Sequence, residues 1–406
     1  MVEAPILIVG AGHAGFQLAA SLRQAGYEGP VSLINDEPHL PYQRPPLSKA
    51  YLKGGGGPDT VMFRPEKFYH DQRIELISDR VVAIDRSALQ LVCASGASRA
   101  YKHLVLATGA RNRLLDIPNA GLKDVLYLRS LDESEMLRQL FPTRRRVVVV
   151  GAGFIGLEFA ATARAKGLEV DVVELAPRVM ARAVTSEISE FFQRRHSEAG
   201  IRIHFGVQAT SITSNEGRVT GVTLSDGRPI AADLVVVGVG VLPNVELAAE
   251  ADLPVASGII VDEHLLTADP NISAIGDCAL FKSVRFGAPL RLESVQNAAD
   301  QARCVAARLT GDAKSYDGFP WFWSDQGPDK LQIAGLTTGY DQVVVRGDAG
   351  QGSFSAFCYK NGRLIGIESV NRASDHVFGR RFLAVNGSIP PEQAADPAFD
   401  LKRALA

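Results

Sequence analysis

Ile6-Leu7-Ile8-Val9-Gly10-Ala11-Gly12-His13-Ala14-Gly15 decides how this chain folds. Ile6 to Val9 is a short all-apolar run, the pattern of a strand buried on both faces of a parallel sheet. Gly10, Gly12 and Gly15 follow as G-x-G-x-x-G. Phe16, Leu18, Ala19, Leu22 and Ala25 then recur at helical spacing, and Gly26 stands where a helix C′ glycine belongs. Strand, glycine turn and helix make a dinucleotide fingerprint. Gly10 allows the tight turn, Gly12 lets a pyrophosphate approach the backbone, and Gly15, after Ala14, lets the helix close on the strand. The helix start offers free N–H groups and a positive dipole end to the phosphates.

The pattern occurs twice. Val147-Val148-Val149-Val150-Gly151-Ala152-Gly153-Phe154-Ile155-Gly156 repeats it, and Gly167 lies 16 residues beyond Gly151, as Gly26 lies beyond Gly10. The repeat is therefore a whole strand–helix unit. A second apolar strand follows each helix, Val31 to Ile34 and Val170 to Val173. Each is followed by an acid able to accept from an adenosine ribose, Asp36 or Glu37 in the first copy and Glu174 in the second. Two nucleotide sites fit one tightly held flavin and one exchanging nicotinamide. Candidate nicotinamide-nucleotide contacts are Gly151, Gly153, Ile155, Gly156, Glu158, Glu174, Arg182 and Gly238. A 2′-phosphate would meet Glu174 as a like charge, a penalty on the order of several kcal/mol. Arg178 and Arg182 lie near enough to soften it, but the reading favours NADH over NADPH.

The chain has 406 residues, with 43 basic and 45 acidic side chains. That length suggests two or three domains. A net charge of −2 gives no reason to expect nucleic acid or a membrane surface as partner. The N-terminus runs straight into a strand without a basic start or apolar signal core. The longest apolar runs, such as Leu234 to Val239, are too short to span a bilayer. A cytoplasmic protein is expected, its oligomeric state open. Cys93, Cys278, Cys304 and Cys358 are too widely spaced for C-x-x-C, so no redox disulfide, zinc site or Cys-ligated iron–sulfur cluster is expected. Cys93 and Cys358 read as small buried hydrophobes.

Along the chain, the proline-rich residues 38–53 lead into a short helix near Leu47, and Gly54 to Gly57 form a flexible tip. Residues 61–98 read as a helix and β-hairpin excursion. Leu104 to Gly109 is another buried strand, and Pro118 lies in a linker. The second nucleotide unit carries a hairpin, Arg218 to Leu224 with Pro229 to Ala231, and closes at Leu234 to Val239 and the turn Pro243-Asn244. Thr267 to Ala279 again runs from strand to Gly276-Asp277, and a helix begins near Val295. From Trp321 the pattern is antiparallel, with Asn361-Gly362 as a hairpin turn, before a helix and a Pro-rich tail. The expected class is α/β: two Rossmann-like three-layer nucleotide-binding domains and a C-terminal α+β domain with an antiparallel sheet. The boundaries are 1–113 with 243–319 for FAD, 114–242 for NADH, and 320–406 for the C-terminal domain.

With both glycine units, Ala107-Thr108-Gly109 and Ile275-Gly276-Asp277 in view, the chain resembles the glutathione-reductase-fold flavoproteins. Pro41-Tyr42-Gln43-Arg44-Pro45-Pro46-Leu47-Ser48-Lys49, Glu293-Ser294-Val295-Gln296-Asn297 and Trp321-Phe322-Trp323-Ser324-Asp325-Gln326 narrow it. They resemble the oxygenase-coupled NADH-dependent ferredoxin reductases, the putidaredoxin reductase-like group, over essentially the whole chain.

The resemblance implies a set of roles. Gly10, Gly12, Ala14 and Gly15 would hold the FAD pyrophosphate, with Asp36, or its neighbour Glu37, on the ribose. Arg44 would neutralise phosphate charge, Val82 would contact the adenine end through its backbone, and Arg129 would reach the cofactor near a domain junction. Ala107, Thr108, Gly109 and Gly276 would line it, and Asp277 would accept from a ribityl hydroxyl. Val295 would open a helix facing the flavin N1–C2=O edge. Lys49 and Glu158 pair beside the flavin N5 in that family, and Trp323 would lie against the flavin. The repeat places Gln17 opposite Glu158, so two matched units differ there in charge.

The activity so implied is hydride transfer from NADH to FAD, then single-electron transfer to a 2Fe-2S ferredoxin that serves a P450 or ring-hydroxylating dioxygenase. Disulfide reductases of this fold need two cysteines near the flavin, and NADH oxidases and peroxidases need one; the corresponding segment here ends in Leu47-Ser48-Lys49. With no thiol relay, electrons should leave directly from the flavin. Arg64, Arg303 and Lys330 are candidate docking cations for an acidic carrier. The competing readings are a flavin NADH dehydrogenase serving quinone or oxygen, and an NADH-sensing flavoprotein binding module.

Overall fold

The computed structural model describes residues 4–405. Packing divides the chain into two compact units. The first holds the residues up to Arg44, Gly57–Arg111 and Val241–Gly318. The second holds Pro45–Gly56, Asn112–Gly240 and the chain from Phe319 onward. The segment 45–56, which the sequence assigns to the first nucleotide domain, thus packs with the second unit.

In the first unit a five-stranded parallel sheet runs in the order Ile272–Ala274, His103–Leu106, Ile6–Val9, Val31–Asn35, Ile74–Ser78. Ile6–Val9 lies at its centre, pairing with Val31–Ile34 on one side and His103–Leu106 on the other. Its four residues are all buried, as a strand covered on both faces requires. The helix His13–Gln24 follows directly and ends in a Schellman motif. Gly26 has φ +80°, its N–H donates to Arg23 O, and the Tyr27 N–H donates to Leu22 O.

The sequence reads 61–98 as a helix and hairpin, whereas Ile74–Ser78 joins the parallel sheet as its outermost strand. Its pattern misleads because only Ile74 and Ile77 are buried; a half-exposed edge strand lacks the continuous apolar run of a central one. The antiparallel ribbon proper is Val81–Asp85, Gln90–Cys93 and Ser98–Ala100.

The second unit repeats the design with a five-stranded parallel sheet, in the order Arg202–Phe205, Glu169–Glu174, Arg146–Val150, Leu234–Val237, Val125–Tyr127. The helix Phe154–Ala165 ends in the same motif, Gly167 at φ +91°. Its C-terminal part is an antiparallel sheet ordered Trp321–Gln326, Asp329–Gly335, Arg363–Val370, Ser353–Lys360, Gln342–Asp348. Asn361 and Gly362 both take positive φ, +50° and +72°, as the expected two-residue hairpin demands. The helix Ala373–Ala384 packs on this sheet. Cys93 and Cys358 are buried, free thiols. Among the described residues no helix is long and apolar enough to cross a membrane.

Candidate active site

In the first unit the glycine turn is fixed by contact. Gly10 takes φ +104°, and a Cβ there would lie 2.3 Å from Ala107 O; one on Gly15 would lie 1.9 Å from Gly10 O. Gly12 is the open member. A Cβ on it would meet no described heavy atom within 4 Å. As the helix N-cap it has no side chain to cap with, and His13-Ala14-Gly15-Phe16 adds no acid. The first helical N–H groups therefore face a cradle that suits an anion.

Other candidates gather round this turn. The Thr108 hydroxyl donates to Asn244 O and the Asn244 amide to Thr108 O, both at 2.8 Å, while the Asn244 N–H donates to Gly109 O. Asn244, a turn residue by sequence, clamps the Ala107-Thr108-Gly109 exit. Gly276, at φ +79°, leaves only 3.1 Å between its would-be Cβ and the Ala14 Cβ, and its N–H donates to Gln301 Oε1 at 2.7 Å. Asp277 is thereby carried to the glycine turn. Val295 is the first residue of its helix, capped by Ser294, whose Oγ accepts from the Asn297 N–H. Val82 falls at a register shift between Val81 and Ala83, so its backbone groups are released from the strand ladder.

The two copies correspond residue by residue at the ends of their second strands. Gly10 N donates to Ile34 O and Gly151 N to Val173 O, so the first-copy residue matching Glu174 is Asn35, not Asp36 or Glu37. The first-copy acids stand beyond the strand end. Glu37 is committed: its carboxylate accepts from Arg44 at 2.7 Å and from the Tyr42 hydroxyl. Burial works against the Arg44 charge, but Tyr42, Glu37 and Asp277 outweigh it and hold its pKa above the ordinary arginine value. Asp36 is exposed.

The second turn has nearly the same geometry. Gly151 also takes φ +104°, with its would-be Cβ 2.4 Å from Gly238 O, and one on Gly156 would lie 2.2 Å from Gly151 O. Gly153 is the open helix cap. Here Glu174 braces the turn, its carboxylate accepting from Ala152 N at 2.7 Å and Ala176 N at 2.8 Å. Arg178 is tied to the backbone. Its guanidinium donates to the carbonyls of Ala181, Val184 and Thr185. Arg182 and the Ile155 side chain are exposed.

The charged cluster lies wholly in the second unit. Glu158, on the helix after the second turn, is 3% exposed. Lys49 Nζ lies 2.8 Å from its Oε2, Ser48 Oγ donates to the same oxygen at 2.5 Å, and Ser324 Oγ donates to Oε1 at 2.7 Å. The segment bearing Ser48 and Lys49 is bolted in place. Thr162, one turn along from Glu158, donates to Ser48 O, and Ser134 donates to Leu47 O. Sequence reasoning found the Lys49–Glu158 pair and missed both serines, because a lone serine in a motif carries no signal of what its hydroxyl meets. Phe322, two residues before Ser324, packs on Phe154, whereas Trp323 on the alternate face packs against Trp321, ring centroids 5.6 Å apart and tilted. Arg129 belongs to this unit, where its N–H donates to Glu133 in the cap of helix Leu131–Leu140. Of the docking candidates, Arg64 lies over Phe68, Arg303 pairs with Asp300 at 2.7 Å, and Lys330 lies 3.7 Å from Asp325.

Two glycine turns, each on a parallel sheet, and an antiparallel C-terminal sheet define a class. The chain belongs to the pyridine nucleotide-disulphide oxidoreductase family, which residues 4–302 match, and residues 321–405 match the reductase C-terminal family. Within it, the chain is similar to rhodocoxin reductase of Rhodococcus erythropolis, 51% identical over 99% of this chain and 94% of that protein. It is 38% identical to putidaredoxin reductase of Pseudomonas putida, over 99% and 96% of the two chains. Among solved structures, the ferredoxin reductase for the CYP199A2 system from Rhodopseudomonas palustris superposes with a TM-score of 0.98 at 72% identity, covering all of both chains. Putidaredoxin reductase in its covalent complex with putidaredoxin gives 0.96 at 37% identity, over 100% of this chain and 99% of that one.

Proposed function

We propose that this protein is an FAD-dependent NADH:ferredoxin oxidoreductase, a ferredoxin–NAD+ reductase, that supplies single electrons to a 2Fe-2S ferredoxin and through it to a P450 or ring-hydroxylating oxygenase in the cytoplasm. The observation that carries the reading is the pair of matched, open glycine turns combined with an absence. The segment from Pro38 to Gly56, where a thiol relay would sit, contains no cysteine.

The residues present fit FAD. Gly10 and Gly15 leave no room for a side chain, while Gly12 leaves a space at an uncapped helix start into which a pyrophosphate would go. Residues 1–113 with 243–319 would hold FAD and 114–242 NADH, with 320–406 as the C-terminal domain. Gly10, Gly12, Ala14 and Gly15 would hold the pyrophosphate with Arg44, Asp36 the ribose, Val82 the adenine end, and Asp277 and the Val295 helix start the flavin half. When bound, the flavin accepts two electrons together and releases them singly. Everything else falls to the chain. Glu174 orients the NADH ribose, Gly153 admits its pyrophosphate, and Lys49 with Glu158 presents a fixed charge pair where hydride leaves the nicotinamide. Positioning carries most of the rate.

The test is a visible spectrum of the purified protein, an anaerobic NADH titration, then addition of a 2Fe-2S ferredoxin. A yellow protein that NADH bleaches and ferredoxin re-oxidises is expected. A colourless protein that takes up no flavin overturns the reading. Fast turnover with oxygen or quinone and none with ferredoxin would make it an NADH dehydrogenase. A persistent charge-transfer band without turnover would make it a sensing module.

A further inference from the structure

The Glu158 carboxylate is held by more than its lysine. Ser48 and Ser324, themselves 2% and 0% exposed, approach it from two separate stretches of the chain and donate to opposite oxygens. Neither is a bystander of the fold. Ser324 Oγ itself accepts from Gln326 Nε2 at 3.3 Å, which turns its own proton toward Glu158. Gln326 is fixed in turn by His196 at 2.8 Å and by Met180 Sδ, and the Met180 N–H donates to Ala152 O inside the second glycine turn. One lysine and two hydroxyls are the charge-assisted partners that hold a buried carboxylate in one rotamer.

Resting on the function argued above, we propose that Ser48 and Ser324 are positioning residues for hydride transfer, acting through Glu158. As the C4–H bond of NADH breaks and its electron pair departs with hydrogen to the flavin, the nicotinamide becomes a cation. A fixed carboxylate opposite it favours NAD+ and the transition state over NADH. Without a serine donor the carboxylate loses part of that direction.

The holoenzyme is compared as wild type, Ser48→Ala, Ser324→Ala and Ser324→Thr, with thermal melts as the control for folding. Two quantities are read: the rapid-mixing rate of flavin bleaching by NADH, and the affinities for NAD+ and NADH from the perturbed flavin absorbance. Each alanine variant should lower the bleaching rate about tenfold, the size of one hydrogen bond to a charged group. NAD+ affinity should fall severalfold while NADH affinity moves less, and Ser324→Thr, which keeps a hydroxyl, should recover most of the rate. Should Ser48→Ala not fold, the Ser324→Ala and Ser324→Thr contrast carries the decision. Folded alanine variants with wild-type rate and NAD+ affinity overturn the inference alone. Equal losses of NAD+ and NADH affinity would reduce the serines to packing and also overturn it. Wild-type protein that NADH does not bleach removes the parent function and the inference with it.

Discussion

The two glycine turns are close copies in backbone and different in the side chains around them. Gly10 and Gly151 share φ +104°, Gly12 and Gly153 share the open helix cap, and Gly26 and Gly167 share the left-handed exit. Three matched positions diverge. At the end of the second strand, Asn35 uses its amide to shape its own loop through Glu37 O and His39 O, whereas Glu174 reaches back to the turn. One helical turn in, Gln17 donates to Ser21 on its own helix, whereas Glu158 gathers Lys49, Ser48 and Ser324. On the strand beyond, His103 stands beside Ile6 where Leu234 stands beside Val147. What the backbone must do is the same in both copies, so the glycines agree. What each copy does with its nucleotide lies in the residues that differ.

Substituting the shared glycines should separate the two roles most sharply. Gly10→Ala forces a Cβ to within 2.3 Å of Ala107 O in a left-handed conformation, at a cost on the order of 3 kcal/mol or more. It should yield colourless or insoluble protein. Gly151→Ala meets a like clash with Gly238 O, yet should leave the protein yellow and stop NADH from bleaching it. Absorbance at constant protein concentration distinguishes them; identical outcomes would break the division of labour.

The His103–Leu234 difference predicts an acid-sensitive first copy. Burial lowers the His103 pKa from 6.5 to about 4, with Arg308 adding to the effect. Between those two values the unfolded chain binds the proton and the folded chain resists it, so stability falls as the pH drops through that window. His103→Leu, which copies Leu234, should remove on the order of 2 kcal/mol of the stability lost between pH 7 and 4.5. Ser273 Oγ still accepts from Arg308 at 2.6 Å in the variant, although it loses its bond to His103 Nε2. Melts of both proteins across that range test it, and parallel pH curves would show that His103 is not the sensitive group.

The same contrast explains what could be read in advance. Glycine turns, buried strands and the Asn361-Gly362 hairpin were legible because backbone geometry restricts which residues can stand there. Lys49 and Glu158 were legible through the family pattern and the charge mismatch with Gln17. The serines on Glu158 were not. They come from positions 48 and 324, and no local rule brings them to one carboxylate. Ile74–Ser78 was missed because an edge strand half-open to solvent carries a weak apolar signal. That Asn35 stands where Glu174 stands was not legible from the acids; only the pairing register shows which residues of the two copies correspond.

The smallest and most discriminating contrast is therefore Glu174→Asn, which gives the second copy the first copy's residue. A carboxylate offers about four acceptor directions. Ala152 and Ala176 take two of them, which leaves two for the vicinal hydroxyls of an NADH ribose. A 2′-phosphate there meets the charge instead, and Arg178 is held on three carbonyls. Asparagine removes the charge and halves the acceptors. The preference for NADH over NADPH should fall about tenfold, the worth of one charge-assisted contact, chiefly through a raised KM for NADH with kcat little changed, since the ribose lies far from the transferred hydride. Initial rates with both coenzymes measure it. Unaltered selectivity would mean that Glu174 serves only to brace the turn, and the two strand ends would then differ in how they build a loop rather than in what they bind.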